Sequence, residues 1–366
     1  MTYKGIFVAG GTAGHIYPAL SIAKEFTNRH SNTELLFVGS KRGLENTIVP
    51  QAGYNLSTLD ITSFPRKISA EQIKTAVRAV RALFGARRLI KEFKPDFVVG
   101  TGGYASGPML IAAALMNYPT LIHEQNAFPS LTNRILSPFV DKIAVSHEFA
   151  MRYFPNEKVC LTGNPLRPEI LKTDQRIARS RLQCGDDEKI LVVVGGSGGA
   201  LRLNEVVSLA VPVILGAGIK VFFVTGPKYF VSVREKIGEM PSLLNLISYA
   251  ENMPDLLAAA DLVVSRSGSI TSELAMLAKP SILIPSPIAA NNHQYYNAKV
   301  ASDRGSAIYI SEEQLSSDLL AETVLNLFSQ PQLLQKMSDQ AITLAFPRAA
   351  TDICDMVEQI IRATGK

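Results

Sequence analysis

The sequence predicts an α/β protein made of two doubly wound halves, each a parallel sheet covered by helices. Three observations carry this. Short apolar runs alternate with helix-like stretches of ten or more residues along the chain, the arrangement of parallel β-α-β units. The runs "KGIFVAGG" at Lys4 and "KILVVVGGSGG" at Lys189 each drive a buried strand straight into glycines, so the same opening occurs twice. Between them, after "GNPLRPEI", lies a polar, charged stretch from Lys172 to Lys189. Each half therefore reads as Rossmann-like, the first over residues 1–163 and the second over 164–346, with a last helix at about 347–366 returning to the first half. Identity between the halves is too weak for a true repeat.

In order along the chain, Ile6, Phe7 and Val8 form the first strand, and "YPALSIAKEF" has helical spacing, with Leu20, Ala23 and Phe26 on one side. "ELLFVGS", "DFVVGTGG", "PTLIHE" and "KIAVSHE" follow as strands of the first half, and "KVFFVTG", "LISYAENM", "ADLVVSRSG" and "PSILIPSP" as strands of the second. The uncharged stretch Phe97–Ile122 is long enough for a membrane span, but it holds Gly100, Gly102, Gly103, Gly107, Pro108 and Pro119. It reads as strand, glycine loop, helix and strand.

Composition narrows the function classes. The chain has 366 residues, 47% of them hydrophobic, enough for two cores. Lys and Arg number 37 against 32 acidic residues, a formal charge of +5, which leans towards an anionic partner but falls short of the density of a nucleic-acid binder. Cys160, Cys184 and Cys354 are odd in number and far apart, giving neither a disulfide framework nor a metal cluster, and a reducing cytoplasm fits best. No signal peptide is legible at the start, where Lys4 leads into a strand and a glycine loop.

Four glycine-bearing loops stand at strand ends: "GGTAGH", "GTGGYASGP", "GGSGGA" and "SRSGS". Such a turn lets the backbone approach a ligand and aims N–H groups and the positive end of a helix at an anion. The plainer reading of the first loop is a tight turn without a ligand, because Thr12 and Ala13 after Gly10-Gly11 break the dinucleotide fingerprint. A dehydrogenase needs one phosphate loop, and four point to more than one phosphate. No D-x-D pair or His/Asp cluster suggests a metal, so phosphate charge would be met by helix ends and Arg, with no cofactor.

"GGTAGH" at Gly10–His15, "GTGGYASGP" at Gly100–Pro108, "HEQN" at His123–Asn126, "GNPLR" at Gly163–Arg167, "GGSGGA" at Gly195–Ala200 and "NNHQYYNA" at Asn291–Ala298 stand in an order that resembles the MurG family. These are the bacterial N-acetylglucosaminyltransferases of peptidoglycan synthesis. The resemblance runs from the first strand to the last helix. It implies a GT-B glycosyltransferase whose two Rossmann-like domains face each other across a cleft. The reaction implied is transfer of N-acetylglucosamine from UDP-N-acetylglucosamine to the C4 hydroxyl of the muramoyl-pentapeptide on undecaprenyl diphosphate (lipid I), giving lipid II. The first half would face the acceptor and the second would grip the donor. The resemblance also implies a peripheral place on the cytoplasmic face of the cell membrane, and leaves room for contacts with other cell-wall synthesis proteins.

Carried over position by position, the resemblance makes His15 the base that deprotonates the acceptor hydroxyl, or, failing that, a residue that only caps its helix. Thr12, Ala13 and Gly14 would lie against the donor, Asn126 would bond its sugar, Arg167 would reach the nucleotide, and Ser197 would bond the diphosphate. Met253 would meet uracil, Glu273 the ribose diol, and Gln294 the sugar hydroxyls as donor and acceptor. Gly103, Tyr104, His123 and Glu124 would lie on the acceptor side. The chain departs from the common pattern at Ala13, where glycine is usual, at Gly198, where a larger residue is usual, and between Arg266 and Glu273, one residue shorter than the common form. Roles are therefore not carried over to Ser269, Ile270, Thr271 and Ser272. Three alternatives stay open at this point: a glycolipid glycosyltransferase of the same fold, a UDP-N-acetylglucosamine epimerase, and a non-catalytic nucleotide-sugar-binding subunit of a membrane complex.

One segment suits the membrane surface that a lipid-linked acceptor requires. From Arg66 to Lys94 the chain is strongly basic; Ile73, Val77, Val80 and Phe84 share one helix face, and Lys74, Arg78, Arg81 and Arg88 form an adjacent basic stripe. The alternative is a core-packing helix with a solvated basic face.

Overall fold

The computed structural model describes residues 3–61, 70–196 and 198–364, without side-chain detail at 70–77 and 79. The chain divides into two compact units, Met1–Arg167 with Phe346–Lys366, and Pro168–Ala345. Asn164–Arg167, expected with the second half, go with the first unit.

The first unit is a seven-stranded sheet of β1 (Tyr3–Val8), β2 (Thr33–Ser40), β3 (Asn55–Leu59), β4 (Phe97–Gly100), β5 (Thr120–Glu124), β6 (Lys142–Val145) and β7 (Val159–Leu161). All neighbours pair parallel, in the order β3-β2-β1-β4-β5-β6-β7. Its helices include α1 (Ala13–Arg29), α2 (Glu45–Gln51), α3 (Ala70–Phe93), α4 (Ser106–Leu115) and α5 (Leu131–Leu136). The central strands are apolar at successive positions because both faces of the sheet are covered. On one face Ile6, Val8, Val98 and Ile122 pack with Ala86 and Ile90 of α3 and Met109 of α4. On the other, Phe7, Phe37 and Phe97 pack with Ile16, Ile22 and Phe26 of α1 and with Ile353 and Val357 of the last helix, Ala349–Ala363. Each such side chain contributes about 2 kcal/mol of burial. Arg29 locks that helix to α1, donating to Asp355 at 2.6 Å, Glu358 at 3.1 Å and the Thr351 carbonyl at 3.0 Å.

The second unit holds β8 (Lys189–Val194), β9 (Ile219–Val224), β10 (Leu244–Ile247), β11 (Leu262–Ser265), β12 (Ser281–Leu283) and β13 (Ala307–Tyr309), again all parallel, in the order β10-β9-β8-β11-β12-β13. Two apolar clusters cover its faces, one around Leu203, Val207 and Phe223, the other around Leu257, Val263 and Leu283.

This topology places the glycine loops. In each sheet the chain reverses its direction of strand addition once, between β1 and β4 in the first and between β8 and β11 in the second. The loops after β1 and β4, and those after β8 and β11, are the four glycine loops, so they flank the two switch points at which such sheets bind ligands. No helix among the described residues is long and apolar enough to cross a membrane.

Helix α3 turns Ala82, Ala86 and Ile90 inward, and leaves Val80 and Phe84 exposed at 55% and 68%. The stripe containing these two is therefore not a core face at its described positions. Arg78, Arg81 and Arg88 are exposed, with Arg88 paired to Glu92 at 2.7 Å; Ile73, Lys74 and Val77 fall outside the described side chains.

Candidate active site

The first switch point gathers the loop after β1 and the loop after β4. His15 stands in the first turn of α1, half-buried, with Nδ1 3.0 Å from the Gly10 carbonyl oxygen and 3.3 Å from Thr12 Oγ1. A carbonyl only accepts, so Nδ1 carries the proton and Nε2 carries the lone pair in the neutral ring. That is the tautomer a general base needs. Thr101 Oγ1 donates to the His15 carbonyl at 2.7 Å and ties the second loop to α1. The glycines allow this approach: a Cβ on Gly102 would run into the His15 ring, and one on Gly103, at φ +91°, would stand 2.6 Å from the Gly10 carbonyl oxygen. Thr12 is exposed, Ala13 and Gly14 are half-buried, and Tyr104 is exposed at the loop tip.

The first loop is not a cradle of free N–H groups, as the sequence suggested. Gly11 N–H donates to Glu45 Oε2 at 2.8 Å and Ala9 N–H to the Val38 carbonyl at 3.1 Å. A Cβ on Gly10 or Gly43 would collide with the Glu45 carboxyl and one on Gly39 with its Cγ, so these glycines make room for a buried glutamate side chain. At the start of α1 the His15 and Ile16 N–H groups donate to the Thr12 carbonyl at 3.1 and 3.3 Å, so the groups left for an anion there are the N–H groups of Ala13 and Gly14, which have no acceptor within the helix. Glu45 Oε1 also accepts from Ser40 N–H at 2.9 Å and Ser40 Oγ at 2.7 Å. Burial alone raises a carboxyl's pKa, but the bonds from Ser40 and Gly11 outweigh it and hold Glu45 below the usual range.

"HEQN" takes a different place from the one expected for half of it. His123 and Glu124 are buried rather than turned to an acceptor. The His123 Nε2 lies 3.2 Å from the Gly163 carbonyl and 3.1 Å from Ser146 Oγ. Burial, reinforced by nearby His15 and His147 and only partly offset by the Gly163 bond, pushes its pKa down to about 4. Glu124 accepts from Asn126 N–H (3.0 Å), Asn126 Nδ2 (3.1 Å), Ser130 N–H (2.9 Å) and Asn133 Nδ2 (2.8 Å). It thereby fixes the Asn126 amide with Nδ2 inward. Asn126 itself is half-buried, and its Oδ1 is the end that can accept from a sugar hydroxyl. Arg167, the last residue of this unit's main segment, stacks its guanidinium 4.5 Å from the Tyr17 ring of α1.

At the second switch point Ser267 joins two segments: its hydroxyl donates to the Gln294 carbonyl at 2.7 Å, and its own carbonyl accepts from Asn297 Nδ2 at 3.0 Å. Gln294 lies in the first turn of helix His293–Asp303, and its Oε1 accepts from Ser286 N–H at 2.8 Å. One lone pair of that amide oxygen is therefore used within the protein, which leaves the NH₂ donors as the main groups for a sugar. Glu273 lies in the first turn of helix Ile270–Met276, where the helix dipole favours a carboxylate. Met253 opens helix Met253–Ala259 and is half-buried. Ser197 lies outside the described residues. Arg266 of "SRSGS" is taken up by Glu312 and by the Ile284 and Pro285 carbonyls, a structural use of the basic residue in that loop.

The chain matches the glycosyltransferase family 28 N-terminal domain over residues 6–145 and the family 28 C-terminal domain over 190–353. A Thermoanaerobacter sp. (strain X514) protein named UDP-N-acetylglucosamine–N-acetylmuramyl-(pentapeptide) pyrophosphoryl-undecaprenol N-acetylglucosamine transferase is 43% identical over 363 residues, 98% of this chain and 100% of the relative. The Clostridioides difficile (strain 630) protein of that name is 37% identical over 99% of this chain and 90% of its own length. Acinetobacter baumannii MurG superposes with TM-score 0.78 at 26% identity, covering 98% of this chain and 99% of that one. The chain belongs to the MurG family. A UDP complex of Staphylococcus aureus MnaA, at TM-score 0.71 and 14% identity over 96% of this chain and 95% of that one, shares the fold.

In this MurG-family chain the sequence missed Glu45, Tyr17 and Thr101. Glu45 had no signal: in "SKRGLENT" it reads as a solvated carboxylate among basic residues at a helix start. Only the packing of Gly10 and Gly43 from two loops and Gly39 of β2 around one glutamate side chain reveals it. Tyr17 and Thr101 sit inside quoted motifs, and their roles depend on neighbours far along the chain.

Proposed function

We propose that this chain transfers N-acetylglucosamine from UDP-N-acetylglucosamine to the C4 hydroxyl of lipid I, forming lipid II with inversion at the anomeric carbon. The observation that supports it most is end-to-end similarity to transferases of that name, with their motifs at both switch points. His15 Nε2 takes the proton of the acceptor hydroxyl; the oxygen attacks the anomeric carbon, and the bond to UDP breaks, with the electron pair leaving on the diphosphate. Thr12, Ala13 and Gly14, at the start of α1, and Asn126 Oδ1 address the donor sugar. Gly103 and Tyr104 address the acceptor, and His123 and Glu124 act from beneath as supports. Arg167, Ser197, Met253 and Glu273 hold the nucleotide, and the Gln294 NH₂ donates to the sugar. Labelled UDP-N-acetylglucosamine incubated with lipid I tests the reading: disaccharide-lipid product is expected, and epimerised sugar or binding without transfer would overturn it.

The donor assignments separate in calorimetry. Glu273→Ala is expected to weaken UDP and UDP-N-acetylglucosamine alike. Gln294→Glu keeps an acceptor for Ser286 N–H but loses the donors, so it should weaken the full donor about tenfold, roughly one good hydrogen bond, and leave UDP unchanged. Equal losses for both ligands would move Gln294 to the nucleotide.

The acceptor's lipid places the reaction at an anionic membrane surface, and α3 is the proposed contact. Exposed Val80 and Phe84 supply apolar area, and Arg78 and Arg81 beside them are each worth about 1 kcal/mol near anionic lipid. Arg88 counts for less because Glu92 is its neighbour. Vesicle sedimentation should show salt-sensitive binding by the wild type, reduced at least tenfold in Arg78→Gln/Arg81→Gln/Phe84→Ser. Equal binding by both, or binding by neither, would exclude α3 as the docking surface.

A further inference from the structure

One peptide bond separates Glu45 from His15. The C=O of the Gly10–Gly11 peptide accepts from His15 Nδ1 at 3.0 Å, and the N–H of the same peptide donates to Glu45 Oε2 at 2.8 Å. In a trans peptide these groups point in opposite directions, so the carboxylate and the imidazole lie on opposite sides of one amide plane, joined by two hydrogen bonds in series. We propose that Glu45 is a positioning residue for His15, acting through this peptide as a carboxylate–amide–imidazole relay. The inference rests on reading His15 as the base.

Polarisation of the shared peptide couples the two groups. A carboxylate at the N–H end increases the amide dipole and makes the Gly10 carbonyl a stronger acceptor. That holds the proton on Nδ1, keeps the lone pair on Nε2 and stabilises the imidazolium formed when Nε2 takes the acceptor's proton. A third group that orients a base is the usual companion of a base–hydroxyl pair. Here the amide stands between them, so the proton stays on the imidazole. The site is built for a charged carboxylate. Oε1 is served by Ser40 and Oε2 by Gly11, and the absent side chains of Gly10, Gly39 and Gly43 leave the space it fills.

Other groups around the pair are placed differently. His123 on β5 is kept neutral by burial, Tyr104 lies exposed after β4, and Arg167 stacks on Tyr17. Asp355 and Glu358 of the last helix are taken by Arg29 at the far end of α1. Around Glu45, Lys41 faces Asp60 at 3.7 Å, and Arg42 contributes its carbonyl to Ser40 Oγ.

The test is the titration of His15 by ¹⁵N NMR in the wild type and in Glu45→Gln. Loss of the charge should lower the His15 pKa by about 0.5–1.5 pH units and move the acidic limb of kcat/KM to lower pH by the same amount. It should reduce kcat about tenfold, with the donor KM within about twofold. In the wild type the ring should be the Nδ1–H tautomer at alkaline pH, and the Gly11 amide resonance should follow the His15 titration. An unchanged His15 pKa in Glu45→Gln would reduce Glu45 to a structural support. Should that variant fail to fold, a wild-type Gly11 amide that ignores the His15 titration, or an Nε2–H tautomer, would overturn the relay. Normal turnover in His15→Ala would remove the base reading alone, because the NMR coupling does not depend on activity.

Discussion

Replacing His15 with alanine is expected to slow transfer by roughly 10²–10⁴-fold while leaving UDP-N-acetylglucosamine affinity nearly unchanged. The loss corresponds to about 3–5 kcal/mol of transition-state stabilisation, the range for a missing general base. It should appear in kcat, because the proton moves only as the glycosidic bond forms. His15→Asn sharpens the result. Its amide can still donate to the Gly10 carbonyl, which His15 Nδ1 meets at 3.0 Å, but it offers no basic lone pair. The asparagine variant should therefore be as slow as the alanine variant if the base is the function. Asparagine at near-normal speed would make His15 an anchor for its loop. Product with retained anomeric configuration would contradict direct displacement, whichever base operates.

Stability should fall steeply between pH 6.5 and pH 4. His123 is buried and His147 half-buried with its Nε2 shielded from solvent, and desolvation drives both pKa values down to about 4 from the ordinary 6.5. In this window the unfolded chain binds two protons that the folded chain refuses, so each step down in pH favours unfolding. At the low end each histidine costs about 3 kcal/mol, a large share of the stability of an ordinary domain. Glu45 acts in the same direction at lower pH: its carboxyl is held below the usual range in the fold, so the stability it contributes is lost as pH falls through that depressed value. Urea unfolding of the first unit's transition at pH 7 and pH 5 should give a lower midpoint at pH 5. His147→Gln should remove close to one proton from the pH dependence. A pH-independent midpoint, or an unchanged slope in that variant, would show that these imidazoles are not held neutral in the fold.

The two doubly wound halves were legible in the sequence because strands covered on both faces must be apolar at every position, and "GIFVAGG" and "ILVVVGGSGG" are. The family motifs were legible too, since a strand that ends in glycines before a helix needs only nearby residues. Side-chain assignments within those motifs were legible only in part. "HEQN" names four polar residues, but its residues differ in depth: Asn126 is half-buried, while Glu124 lies beneath it and takes both its N–H and its Nδ2. Gln294 looked able to donate and accept, and the fold already engages its oxygen with Ser286 N–H.

By itself the sequence determined the class of fold, the positions of the loops and the residue types available at them, because these depend on periodicity and on neighbours a few residues away. Tertiary structure alone decided which of those residues meet. The strand order puts β4, some ninety residues downstream, beside β1, so Gly102 and Thr101 reach His15. The end of β2 and the start of α2 put Glu45 under the same loop, against Gly11. The proton's place on His15 then follows from a carbonyl that can only accept. Such contacts depend on sheet order and close packing, which no local pattern of residues encodes.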